Sequence, residues 1–338
     1  MRLGRMVGLV AAAVALATGT SAGALGRHPD EQGQIRLTAG EGFRLEAEQV
    51  AQGGAVVDTY RSGTATVRVI GRPGSSVTIA DTTDSVTGRR TASVRLSTSR
   101  PKTVADADAY RRSGRSAVAD LVSLGMPRDQ AVREFGDMDT LGPGAGVAGR
   151  RLASADLAFP QMQALTAVSS TTPYDTLCAS VSYDGGKISG YGCSTLFLVA
   201  ASGGDWWFDN KYKFSAHSTD GSIFRPQRLF EVGWSLSWAA NNVVYDWEPD
   251  STVNRNDCGT ARFSLSAHGA SVSIEAPICP TKISPWNLAG TRSGSLWQGI
   301  ERGQDWEAAI GVQAVHSPPN AAASYETPFK LVWGPYPP

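Results

Sequence analysis

Two stretches of the chain are closed by cysteines and centred on a turn signal: CASVSYDGGKISGYGC (178–193) and CGTARFSLSAHGASVSIEAPIC (258–279). Cys178 and Cys193 lie seven residues either side of Gly185-Gly186, and Cys258 and Cys279 lie ten either side of His268-Gly269. An antiparallel hairpin pairs residues equidistant from its turn, so in each stretch the cysteines face one another. X-Gly pairs suit two-residue hairpin turns because Gly accepts positive φ. The second ladder sorts cleanly by face. Phe263 opposes Ile274, Leu265 opposes Val272 and Ala261 opposes Ala276, while Ser264 opposes Ser273 and Arg262 opposes Glu275. Counting outward from two-residue turns puts Cys258 and Cys279 at a non-hydrogen-bonded pair, about 4.5 Å between Cα atoms. The same count puts Cys178 and Cys193 at a hydrogen-bonded pair, about 5.5 Å apart, and a disulfide spans either distance. The predicted disulfides are Cys178–Cys193 and Cys258–Cys279. The rival, a zinc site, lacks both a CxxC and a nearby His pair.

The compartment agrees with disulfides. MRLGRMVGLVAAAVALATGTSAGA (residues 1–24) reads as a signal peptide: Arg2 and Arg5 precede an apolar run from Met6 to Ala17, followed by the small residues Ala22-Gly23-Ala24. The run is too short to span a bilayer, and no later segment has transmembrane length. The expectation is a secreted, extracellular protein, where disulfides persist. Lys and Arg number 31 against 31 Asp and Glu, a balance that argues against a nucleic-acid partner.

The chain reads as mainly β. Residues 25–102 alternate apolar and polar in GFRLEAE, TATVRVIG, SSVTIAD and TASVRLS, with RPGS and DSVTGR turn signals between them. They predict a small N-terminal β-domain of five or six strands. Residues 103–138 change to helical spacing and predict two short helices, the second with Pro127 at its first position. Residues 139–158 are rich in Gly and Ala and read as a linker, with Arg150-Arg151 inside it as a protease site. Residues 159–338 predict an antiparallel β-sandwich or jelly-roll-like domain with two disulfide-closed hairpins. All nine tryptophans fall between Trp206 and Trp333. RLFEVGWSLSW places Phe230, Val232, Trp234, Leu236 and Trp238 on one strand face.

Catalytic signals are sparse. There is no GxSxG, HExxH or P-loop pattern. Of four histidines only His217 and His316 suit a general base, and nothing local points to a Ser-His-Asp triad. The sequence names no cofactor apart from calcium: Asp246, Glu248, Asp250 and Asp257 in DWEPDSTVNRND have oxygen-ligand spacing. Ser251 stands where a calcium loop needs Gly, and a solvated acidic turn is the competing reading. Glu301, Asp305 and Glu307 offer carboxylate pairs of the kind a glycosidase uses, although acids in a loop are ordinarily surface. The adjacent Trp206 and Trp207, and Trp286, Trp297 and Trp306 in turn-like contexts, are candidates for stacking on a sugar or packing on a partner.

Three functions are open on these grounds. The first is a non-catalytic binding module for a glycan, a cell-surface component or a protein partner. The second is a secreted hydrolase with residues 25–150 as a pro-segment, and the third is a structural envelope or assembly protein.

Overall fold

The computed structural model describes residues 36–37, 42–51, 55–71, 75–98, 104–140, 173–202, 205–222, 225–238, 243–247, 253–254, 259–267, 270–278, 282–286, 292–300, 305–317 and 325–336. The first strands are β1 (Arg36–Leu37), β2 (Arg44–Val50), β3 (Val56–Ser62), β4 (Ala65–Gly71), β5 (Ser75–Thr83) and β6 (Arg90–Thr98). Helices α1 (Val104–Ser113), α2 (Ala117–Ser123) and α3 (Arg128–Phe135) follow. Then come β7 (Pro173–Tyr183), β8 (Ile188–Ser202), β9 (Asp205–Ser218), β10 (Gln227–Trp238), β11 (Val243–Trp247) and β12 (Val253–Asn254). The last are β13 (Gly259–Ala267), β14 (Ala270–Ile278), β15 (Lys282–Pro285), β16 (Arg292–Gln298), β17 (Asp305–Ser317) and β18 (Tyr325–Pro335).

The mainly-β class and the short helical segment are as the sequence indicates. Two eight-stranded sheets have the orders β1-β5-β6-β18-β10-β16-β15-β12 (sheet I) and β11-β17-β9-β8-β7-β4-β3-β2 (sheet II), and β13-β14 pair as a separate hairpin. All pairings are antiparallel except the short contact of β1 with β5. Inward residues of both sheets form one core. Val67, Val69, Leu177, Val181, Tyr212 and Phe214 of sheet II meet Val77, Ile79, Val94, Trp234, Leu236 and Phe329 of sheet I. Gly192 is what lets the largest of these fit, because a Cβ there would overlap the Trp234 ring.

The strands of residues 36–98 are where alternation places them, but they form no sheet of their own. β4 pairs with β7 and β6 pairs with β18, so this region supplies strands to both sheets of the sandwich. The physical reason is burial: Val67, Val69, Val77 and Ile79 need an opposing layer, and the layer that covers them carries Trp234 and Phe329.

The helical region holds three helices, not two. Gly114 at φ 67° breaks the first predicted helix, and Ser116 restarts it as an N-cap that accepts from Ala119 N–H at 3.0 Å. Pro127 sits one position earlier than expected, as the N-cap residue of α3. These helices cover the outer face of sheet II over a second apolar cluster of Val57, Ile70, Leu121, Met126, Phe135 and the two cysteines Cys178 and Cys193.

Cys178 and Cys193 are joined, and they face each other in the expected register, with Tyr183 opposite Ile188. Their Cα atoms are 4.2 Å apart, the spacing of a non-hydrogen-bonded pair rather than the predicted hydrogen-bonded one. The cause is the turn. Asp184–Gly186 form a 3-10 turn with positive φ at Asp184, Gly185 and Gly186, and the first ladder pair beyond it is Tyr183–Ile188. A four-residue loop keeps the register of a two-residue loop with the same centre but shifts the hydrogen-bonding alternation by one. For the second hairpin, every pair from Ala267–Ala270 out to Gly259–Ile278 has the predicted register. Cys258 and Cys279 lie outside the described residues.

Candidate functional site

Strand β10 carries the departure that creates the site. Its apolar alternation predicts Phe230 facing inward with Val232 and Trp234. A bulge between Leu229 and Glu231 in the pairing with β18 changes this, because the inserted residue re-aims a side chain. Leu229 takes the core position, and Phe230 leaves the core to line a surface cleft.

The cleft has a volume of about 440 Å³ and is lined by Val86, Thr87, Arg89, Arg225, Phe230, Pro335 and Tyr336. One wall is the β5–β6 turn. Asp84 builds it by accepting from Val86 N–H at 2.8 Å and Thr87 N–H at 3.0 Å, and these backbone bonds hold its carboxyl below the usual range. Asp84 N–H in turn donates to Arg89 O at 2.8 Å. The opposite wall is the entry to β10. There Asp220 accepts from Gln227 N–H at 2.9 Å and Ser222 N–H at 3.1 Å, which likewise lower its pKa. Tyr336 N–H donates to Pro226 O at 3.0 Å and ties the end of β18 to this wall.

The arginines of this end divide by their partners. Arg90 is paired with Asp81 at 2.7 Å, and Arg228 donates to the Asp220 and Gln227 carbonyls. Arg89 lies over the Phe230 ring at 3.9 Å, a cation–π contact that positions the guanidinium without neutralising it. Arg225 is exposed and sits at φ 53°, a left-handed conformation uncommon for a residue with a Cβ. Neither Arg89 nor Arg225 forms a salt bridge with a described carboxylate. The cleft therefore presents two guanidiniums outside salt-bridge distance of any described carboxylate, Arg89 on the Phe230 ring and Arg225 on the opposite wall, with the Asp84 carboxylate acting on Arg89 through space.

The residues singled out in the sequence are placed as follows. Trp297 is fully buried in the sandwich core and is removed from the binding candidates: its strand β16 pairs on both sides, with β10 and β15, and turns this ring inward. Trp286 is half-buried over Gly233, on the outer face of β10 that also carries Glu231. Trp206, Trp207 and Trp306 are strand residues of β9 and β17, where Trp206 pairs with Ser317, Trp207 with His316 and Trp306 with Ala216. Asp246 is in β11, opposite Ala314. Glu248, Asp250 and Asp257 lie outside the described residues, as do residues 141–158 of the expected linker and the signal segment. Among the described residues no cluster of His, Cys, Asp and Glu is arranged to hold a metal.

His217 meets Ser215 Oγ at 3.1 Å, the spacing of a base beside a nucleophile. Both are buried beneath α3, whose Gln130 amide is 2.5 Å from His217 Nε2. The same ring nitrogen therefore faces both Ser215 and the covering helix. Sequence reading missed Arg89, Arg225, Phe230 and Tyr336. The available signals were GRR at 88–90 beside a turn and RPQR at 225–228.

No protein-family model matches the chain, and no curated protein is similar to it. Among solved structures, Clostridium perfringens delta-toxin aligns at 8% identity and TM-score 0.31, covering 43% of this chain and 78% of that one. A pore-forming protein aligns at 9% identity and TM-score 0.32, covering 44% and 74%. The membrane-inserted form of the Clostridium perfringens NetB toxin aligns at 6% identity and TM-score 0.18, covering 43% and 73%. These partial similarities are too weak to define a shared architecture. Among the described residues no helix is long and apolar enough to cross a membrane.

Proposed function

We propose that this chain is a secreted, non-catalytic binding module and that it engages its ligand at the cleft between the β5–β6 turn and the end of β18. The observation that carries this reading is a cleft lined by Arg89, seated on the Phe230 ring, and by Arg225, neither in a salt bridge with a described carboxylate. Concave sites with a few convergent polar groups on an apolar lining are the usual form of ligand pockets. Trp286 is half-buried over the outer face of β10. The buried disulfide and the signal-like first 24 residues support export.

A hydrolase released from a pro-segment is less well supported. Residues 36–98 supply six strands to the two sheets, so removing residues 25–150 would uncover the apolar core between them.

Retention of the purified protein on insoluble polysaccharides and cell walls tests the proposal. Retention that is lost in an Arg89→Met/Arg225→Asn double variant of unchanged melting temperature is the expected result. Retention unaffected by that variant, but abolished by replacing Trp206, Trp207 and Trp306, would move the site to β9 and β17.

A further inference from the structure

We infer that the ligand of this cleft is an acidic saccharide, a sugar ring bearing a carboxylate or sulfate; the inference rests on the binding reading above and adds the chemistry of the ligand. Three features of the cleft lead there.

The first is charge. Asp84 and Asp220 are the carboxylates built into the two walls, and both are engaged by backbone N–H groups of their own loops. Arg90 and Arg228 are engaged as well. What remains for a ligand is Arg89 and Arg225, whose planar forks match the paired oxygens of a carboxylate or sulfate. Arg89 is positioned before any ligand arrives, because its guanidinium rests on Phe230 at 3.9 Å. Arg225 is presented on a left-handed backbone two residues before Gln227, whose N–H is held by Asp220.

The second is shape. A volume of about 440 Å³ accommodates one or two pyranose rings. Tyr336, Pro335 and Val86 supply the apolar surface that the C–H face of a sugar packs against, and Val86 is 91% exposed at the tip of the turn.

The third is what the walls lack. An extended peptide adds to a sheet through a free strand edge. Here the walls are a tight turn and two strand ends, and Asp84, Gly88 and Tyr336 already donate their N–H groups to the Arg89, Asp84 and Pro226 carbonyls respectively. β6 and β18 are paired with each other and with β5 and β10, so neither offers an edge. An anionic membrane is held by clusters of four or more basic residues, and the cleft has two.

Calorimetric titration of the full chain with oligogalacturonate, its neutral galactose counterpart and a sulfated oligosaccharide decides the matter. The expected result is binding of one or both acidic oligosaccharides and at least about tenfold weaker binding of the neutral one, the worth of a charge-assisted hydrogen bond. Arg89→Met keeps the packing on Phe230, and Arg225→Asn tolerates the left-handed backbone. Each should weaken acidic binding about tenfold, and the double variant should abolish it with the melting temperature unchanged. The carboxylate and sulfate arms distinguish the two sources of the anion. Equal binding of neutral and acidic sugars, lost in the double variant, would overturn the acidic inference and leave the cleft as a binding site. Acidic binding that survives the double variant would overturn both. Capture instead by phosphoserine peptide or by phosphatidylserine vesicles, with no response to saccharide, would overturn the inference in favour of that ligand.

Discussion

Strand β9 presents Tyr212, Phe214 and Ala216 to the sandwich interior and Lys211, Lys213, Ser215 and His217 to the helical layer. Both sets are buried, and they are held by different chemistry. The inner face is close-packed hydrocarbon and aromatic surface, including Trp234 against Gly192 and Phe329. On the outer face Lys211, Lys213 and His217 meet partners from the covering segment, and Ser215 meets His217. Lys211 is paired with Asp137 at 2.9 Å and donates to the Asp137 and Thr140 carbonyls, and Lys213 reaches Asp137 at 3.5 Å. Beside them Arg115 makes a two-pronged contact with Asp120, at 2.6 and 3.3 Å, and donates to Thr176 O. Apolar contacts tolerate no missing volume; polar contacts tolerate no missing partner. The two faces of one strand should therefore fail in different ways.

The largest effect is expected on the inner face. Trp234→Ala leaves a hole that Gly192 has no side chain to fill, and should cost about 3–5 kcal/mol in urea unfolding. A loss under about 1 kcal/mol would mean that the sandwich core is not packed around this ring.

Next comes the buried ion pair of the outer layer. Asp120→Ala should cost about 3 kcal/mol, the lower end for stranding a buried charge, because Arg115 keeps the Thr176 carbonyl. Combining Arg115→Met with Asp120→Leu should restore more than half of that loss. A double variant as unstable as the sum of the singles would erase the proposed contrast with the inner face, where no second substitution restores the core.

The smallest effect is the pH dependence of the helical layer. Asp139 accepts from Ala117 N–H at 2.9 Å, and burial pushes its carboxyl up to about 6. Between pH 4 and 6 the folded protein then keeps a proton that the unfolded chain has released, so stability should rise as the pH falls through this window. Asp139→Asn should flatten that slope when unfolding midpoints at pH 4.5 and 6.5 are compared. Asp137 behaves oppositely. Burial acts to raise its pKa, but Lys213 and Lys211 outweigh it and hold the carboxyl below its usual 3.8, so its contribution is lost only at lower pH. A slope unchanged in Asp139→Asn would assign the pH dependence to another group.

The hairpins were legible in the sequence because register is a local property. Cysteines equidistant from Gly185-Gly186 and a face-sorted ladder around His268-Gly269 leave one pairing that keeps like with like. The cleft was not legible, since Phe230 reads as one more inward residue of an alternating strand until the bulge beside it is seen. The tryptophans divide on the same ground: Trp234 and Trp238 follow the inward face, while the turn-like flanks of Trp297 concealed a strand paired on both sides.

The sequence by itself determined the register of the two hairpins, the faces of their regular ladders and the pairing of Cys178 with Cys193. The tertiary structure decided which strands share a sheet, that residues 36–98 complete both layers, and that the polar face of β9 lies under helices. Alternation records only that one side of a strand is buried. Many partners satisfy that requirement equally, and the choice among them depends on volumes and polar contacts brought together from opposite ends of the chain.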